Sequence, residues 1–185
     1  MSIKINYTKK ASNKSTSNLV LFVDEKFNTS SLKKYLSNTE ISYINDLLKN
    51  SDLKKNMFFY EINSKKKIIL ISIKKDLKSF DQENLGAEFY GRINHGKNCE
   101  YFLNSDTVIG KNDNFISYFL HGLKLKSYSF KKYKTKKDIR LISINVLGKK
   151  NKPSNQNQLK FNALEEGTFY ARDLVSEPGN ILHPD

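Results

Sequence analysis

Two short stretches without a single polar residue, 19–23 (LVLFV) and 68–71 (IILI), constrain this chain more than any other feature. Each is strand-sized and far below the roughly 18 consecutive apolar residues of a membrane-spanning helix, so both read as buried strands. Between and after them the apolar spacing turns helical. Ile41, Ile44, Leu47 and Leu48 lie on one face of a helix that Asn38 or Thr39 can cap and that ends near Asn50. Leu85, Phe89 and Ile93 recur every fourth residue over 81–97, and Phe115, Phe119 and Leu123 form a stripe over 113–125 beside Ile116 and Leu120. Further strands are predicted over 2–7 at an edge, 56–62 and 66–73 around a hairpin turn at 63–65, 100–103, and 139–147. The polar segment 24–37 fits neither period. Strands alternating with helices predict an α/β fold in three layers, a mixed sheet flanked by helices.

At 185 residues and 38% hydrophobic, the chain has the apolar content for one domain with a short appendage. The appendage begins after the loop 148–158, with a last helix over 159–175 and a turn at 178–180, dividing the sequence into 1–150 and 151–185. The final residues, through Pro184 and Asp185, have the composition of a helix start. They predict that this is the front part of something longer. The opening MSIKINYTKK has no apolar signal stretch, so a cytoplasmic, non-membrane protein is expected.

No constellation of catalytic or metal-ligating residues emerges. A single cysteine, Cys99, excludes an internal disulfide and reads as a small buried hydrophobe. His95, His121 and His183 form no pair at helical i, i+4 spacing. The close acidic groupings, Asp24/Glu25, Asp81/Glu83, Asp106 and Glu165/Glu166, read as solvated surface acids, and no glycine-rich loop is present to cradle phosphate.

Charge supplies the one local candidate. The chain carries 32 basic and 19 acidic residues, a net +13, yet only Arg92, Arg140 and Arg172 are arginine. Lysine on this scale draws polyanions weakly at low salt. Seven lysines, Lys124, Lys126, Lys131, Lys132, Lys134, Lys136 and Lys137, interleave with Tyr128, Phe130 and Tyr133. Cations for phosphate beside rings for bases make this the candidate polyanion-binding segment. The same alternation suits an ordinary strand with rings inward and lysines outward, and both readings stand at this point.

The end of the chain, ALEEGTFYARDLVSEPGNILHPD, resembles the segment that joins the two domains of the leucyl (leucine, or cytosol) aminopeptidase family. The matching positions are Arg172, Asp173, Leu174, Pro178, Asn180, Leu182 and Pro184, and a second family element is similar through Gly122, Leu125, Tyr128, Phe130, Tyr133 and Lys134. The helix with Leu85, Gly86 and Ala87 also fits. The resemblance implies a macro-domain-like N-terminal domain and a linker helix in which Arg172, Asp173, Leu174, Pro178 and Asn180 serve the interdomain connection. It implies a hexameric parent protein that removes N-terminal residues, leucine preferred, from peptides by means of two divalent metal ions, Mn or Zn. It places the metal ligands and the catalytic residues beyond Asp185, so that this chain alone carries no cofactor and serves assembly and interdomain docking. Peptide substrate would be met only through the catalytic domain. A basic module that binds DNA or RNA is the alternative, and weak nucleic-acid binding is the further partner expected of the charge.

Overall fold

Both apolar runs bury both of their faces because both are interior strands of a mostly parallel sheet covered on each side, the arrangement that near-continuous Val, Ile and Leu sequences favour. The computed structural model describes residues 3–8, 18–93, 99–110, 114–135, 141–179 and 181. Its strands are β1 (Ile3–Tyr7), β2 (Asn18–Val23), β3 (Met57–Asn63), β4 (Lys66–Ser72), β5 (Cys99–Asn104) and β6 (Ile142–Leu147). Its helices are α1 (Asn38–Lys49), α2 (Ser79–Ile93), α3 (Phe115–Lys126) and α4 (Asn155–Ser176). The strands form one sheet in the order β1-β6-β5-β2-β4-β3. All neighbours are parallel except β3, which returns antiparallel along β4.

Alternate residues of the central strands feed two cores. Val20, Phe22, Ile69, Ile71 and Leu103 point to α2 and α3, while Leu19, Leu21, Val23, Ile68 and Leu70 point to α1 and to the 3-10 turn Ser30–Lys34. The three-layer α/β expectation therefore describes the molecule. At the carboxyl ends of β2 and β5, where open α/β sheets usually present a ligand crevice, the chain fills the space itself. Thr107 Oγ1 accepts the Phe22 amide at 2.9 Å, and Asp106 Oδ1 accepts the amides of Lys149 and Lys150 at 2.8 and 2.6 Å. Asp106 is thus an anchor between two loops, where a free surface acid was expected.

Several boundaries move, each for a physical reason. Ser37 caps α1 in place of Asn38 or Thr39: its Oγ accepts the Glu40 amide at 3.3 Å and Glu40 Oε2 accepts the Ser37 amide at 2.9 Å, closing a capping box. Lys66 Nζ, 2.6 Å from Glu40 Oε1, ties that first turn to β4. Burial pushes the Glu40 carboxyl upward, but Lys66 and Ser37 together hold it below the usual carboxylate value. Helix α4 begins four residues before the predicted start, because Ser154 Oγ accepts the Asn157 amide at 3.2 Å and Gln158 Nε2 donates to Pro153 O at 2.9 Å. The alternating segment after α3 is no strand; residues 128–135 run as turns and irregular backbone. The predicted helix end at 94–97, the helix start at 113 and the strand start at 139–140 lie outside the described residues.

Helices α2 and α3 cross at two glycines. A Cβ on Gly86 would stand 1.9 Å from Phe119 O, and one on Gly122 would stand 1.9 Å from Glu83 O. Around this crossing Phe22 packs edge-on against Phe115 and Phe119, with ring centroids 5.2 and 5.7 Å away. Gly86→Ala and Gly122→Ala should each destabilise the chain by about 1–3 kcal/mol despite alanine's better helix propensity, since backbone cannot yield to the methyl group. Gly167→Ala in α4, where an added Cβ meets nothing within 4 Å, should stabilise by about 0.5–1 kcal/mol. Urea titration of the three variants distinguishes the two cases.

Candidate docking helix

Helix α4 carries its residues the opposite way round from a typical surface helix. Of its 22 residues only Phe161 and Glu165 are buried. Its inner face is held by polar groups. Phe161 seats its ring on Tyr118 and His121 of α3, with centroids 5.1 and 4.8 Å away. One turn later Glu165 reaches an imidazole and an ammonium group, with Oε1 3.1 Å from His121 Nδ1 and Oε2 2.5 Å from Lys124 Nζ. The side chains of Glu165, His121 and Lys124 are 4%, 8% and 16% exposed. Glu165 is therefore no solvated acid, and Lys124 is no free cation.

The sequence hides this cluster because each partner is an ordinary charged or polar residue of its own helix. A signal was nevertheless present. Ser117, His121 and Lys124 lie at helical spacing on the face of α3 turned away from the Phe115, Phe119 and Leu123 stripe, and Phe161 and Glu165 are four apart on α4.

The lysine-rich segment grips the far end of α4. Arg172 Nη1 donates to Leu125 O at 2.7 Å, satisfying a carbonyl at the end of α3, and its guanidinium lies 5.5 Å from the Tyr128 ring. Tyr128 stacks on Phe169 and donates its hydroxyl to Asp173 Oδ1 at 2.7 Å. Lys132 Nζ lies 2.5 Å from Glu177 Oε1, and Tyr133 donates its hydroxyl to Glu177 Oε2. These bonds from Lys132 and Tyr133 hold the Glu177 carboxyl below its usual value, and the bond to Glu177 pushes Lys132 and Tyr133 up. Burial, followed by the bond to Asp173, pushes Tyr128 up.

Of the seven candidate polyanion-binding lysines, Lys124 and Lys132 are thus engaged within the chain. Lys131 is half-buried, Lys126 and Lys134 are exposed, and Lys136 and Lys137 lie outside the described residues. Of the candidate linker residues, Arg172 and Asp173 bind the clasping segment. Leu174 and Pro178 are exposed, and Asn180 lies outside the described residues.

The outer face of α4 is apolar. Leu159, Ala163, Gly167, Tyr170 and Leu174 share one exposed stripe, with Leu164, Ala171 and Val175 beside it; Leu159 is 70% exposed and Val175 86%. Large hydrophobes gathered on one face mark a surface that another element covers.

Removing Glu165 would leave Lys124 nearly buried without its counter-charge. Glu165→Ala is expected to cost about 3 kcal/mol and to speed hydrogen exchange selectively in α4, whereas Glu166→Ala on the exposed side should change stability by less than about 0.5 kcal/mol. Exchange read by mass spectrometry on the two variants checks this.

No protein-family model matches the chain. A probable cytosol aminopeptidase of Ehrlichia ruminantium (strain Gardel) is 34% identical over 129 residues, 64% of this chain and 24% of that protein. One of Wolbachia pipientis wMel is 30% identical over 135 residues, 69% of this chain and 26% of its own length. Among solved structures, a tomato leucine aminopeptidase mutant superposes with a TM-score of 0.72 at 16% identity, over 98% of this chain and 40% of its own. The bottromycin maturation enzyme BotP in complex with Mn superposes with a TM-score of 0.61 at 11% identity, over 92% of this chain and 34% of its own. The chain spans about a quarter of the length of its curated relatives. By sequence over about two thirds of its length, and by fold over nearly all of it, the chain is related to the cytosol (leucyl) aminopeptidases and matches their N-terminal domain.

Proposed function

We propose that this chain is the non-catalytic N-terminal domain of a cytosol (leucyl) aminopeptidase, a cytoplasmic two-metal exopeptidase that removes N-terminal residues, leucine preferred, from peptides. In this reading residues 1–150 form the packed domain, and 151–185 form the arm that docks on the catalytic part and contributes to a hexamer. The observation that carries it is the uncovered apolar face of α4, in a chain spanning about a quarter of relatives named probable cytosol aminopeptidase. Metal chemistry, Mn or Zn, is assigned to the remainder of such a protein. Among the described residues no group of three or more His, Cys, Asp or Glu is placed to hold an ion, and the carboxylates of Glu165 and Asp106 bind His121, Lys124 and loop amides.

Two measurements bear on this reading. The purified chain incubated with Mn²⁺ or Zn²⁺ and a leucine anilide should turn over no faster than a metal-only blank, and clear turnover would defeat the proposal. Mixed with the C-terminal three quarters of the Ehrlichia relative, the chain should co-elute on gel filtration, and Leu159→Asp with Tyr170→Asp should abolish co-elution without lowering the chain's own Tm.

The alternative reading is a basic module that binds DNA or RNA, supported by the net charge of +13 and by exposed Lys126 and Lys134. Labelled duplex titrated across salt tests it. Under the primary reading affinity vanishes by physiological salt; affinity that persists there and falls in Lys126→Ala/Lys134→Ala would favour the alternative.

A further inference from the structure

Beneath α4 lies a void of about 20 Å³, partly open at its rim and bounded by Tyr7 of β1, Ser117, His121 and Lys124 of α3, and Gln158 and Glu165 of α4. That volume corresponds to one water molecule, for which roughly 10–15 Å³ suffices when two to four polar partners are at hand. The polar partners are present. Ser117, which lines the void, is only 4% exposed, and its Oγ has no hydrogen-bond partner within the chain. Buried hydroxyls are rarely left so in folded proteins. Glu165 Oε2 accepts from Lys124 Nζ and Oε1 bonds His121 Nδ1, so each oxygen retains a second lone pair.

Charge decides the kind of occupant. Lys124 and Glu165 cancel, and the Tyr7 phenol, pushed up to about 12 by burial and then by the Glu165 charge, stays protonated. The void therefore asks for a small neutral molecule that both donates and accepts. A cation would meet Lys124, and an anion would meet Glu165.

We propose that one ordered water occupies this void, accepting the Ser117 hydroxyl proton and donating to the Glu165 carboxylate. The site turns the α3–α4 contact into a hydrated polar joint, with the water as a structural ligand shared between the sheet domain and the arm. It also accounts for why α3 presents a serine where an alanine would otherwise fit a helix better.

The test is a high-resolution crystal structure of the chain together with the melting temperature of Ser117→Ala. The expected results are one ordered water within hydrogen-bond reach of Ser117 Oγ and Glu165, and a variant that melts about 2–4 °C lower than the wild type, because the water loses a partner. In a dry void the same substitution removes an orphaned hydroxyl and adds a better helix former, so the Tm would rise. A void without density, or a Ser117→Ala variant that melts at or above the wild type, overturns the proposal.

Discussion

Two helix backbones meet at a pair of glycines, and the placing of the helices on that side of the sheet follows from it. With Gly86 against Phe119 O and Gly122 against Glu83 O, α2 and α3 pack closer than any pair bearing Cβ atoms at those positions could. Helix α3 is drawn down onto the sheet until Phe115 through Leu123, Tyr118 excepted, are buried. A helix buried this deeply has a second face to dispose of. In α3 that face holds Ser117, His121 and Lys124, so whatever covers it must bring compensating polar groups. Glu165 is that compensation, and the position of α4 is set through it.

Holding α4 by charge and hydrogen bonds has a different physical consequence from holding it by apolar burial. A buried ion pair adds little net stability once desolvation is counted, yet removing one partner is costly, because a stranded charge is worse than a matched pair. The contact therefore tolerates one register. If α4 slid by a single residue, Glu165 would turn about 100° away from His121 and Lys124, and Arg172 would leave Leu125 O. The clasp from Tyr128, Lys132 and Tyr133 fixes the other end in the same manner.

The sheet and the first three helices were legible in the sequence because period and apolarity alone specify them. The runs at 19–23 and 68–71 have room for only one structure, and Phe115, Phe119 and Leu123 can share only one helix face. What escaped were features decided by the partner across space. Ser37 caps α1 because Glu40, itself tied to Lys66, completes the box; the neighbouring Asn38 and Thr39 are equally good residues by type. The start of α4 carries the polar residues Asn155 to Gln158, with no apolar period to announce a helix, and it is fixed by bonds such as Asn157 Nδ2 to Asn114 Oδ1 at 2.6 Å. Glu165 reads as a surface acid from its own helix, and only the packing of α3 reveals it as buried.

The lysine-rich segment shows how a compositional signal divides once it is folded. Rings and lysines in alternation fit a nucleic-acid surface and a strand equally well, and among the described residues, 128–135, the chain forms turns and irregular backbone. Tyr128 and Tyr133 turn their hydroxyls to Asp173 and Glu177, and Lys132 neutralises the latter. An acid that binds a cation within its own chain lowers the local potential available to a phosphate, so the lysines left over act through the long-range field, which salt screens within about 10 Å at 0.1 M. Glu165 and Glu177 thereby engage two of the seven lysines, Lys124 and Lys132, that made this segment conspicuous. The outer face of α4, apolar from Leu159 to Leu174, is where an unmet requirement for burial remains.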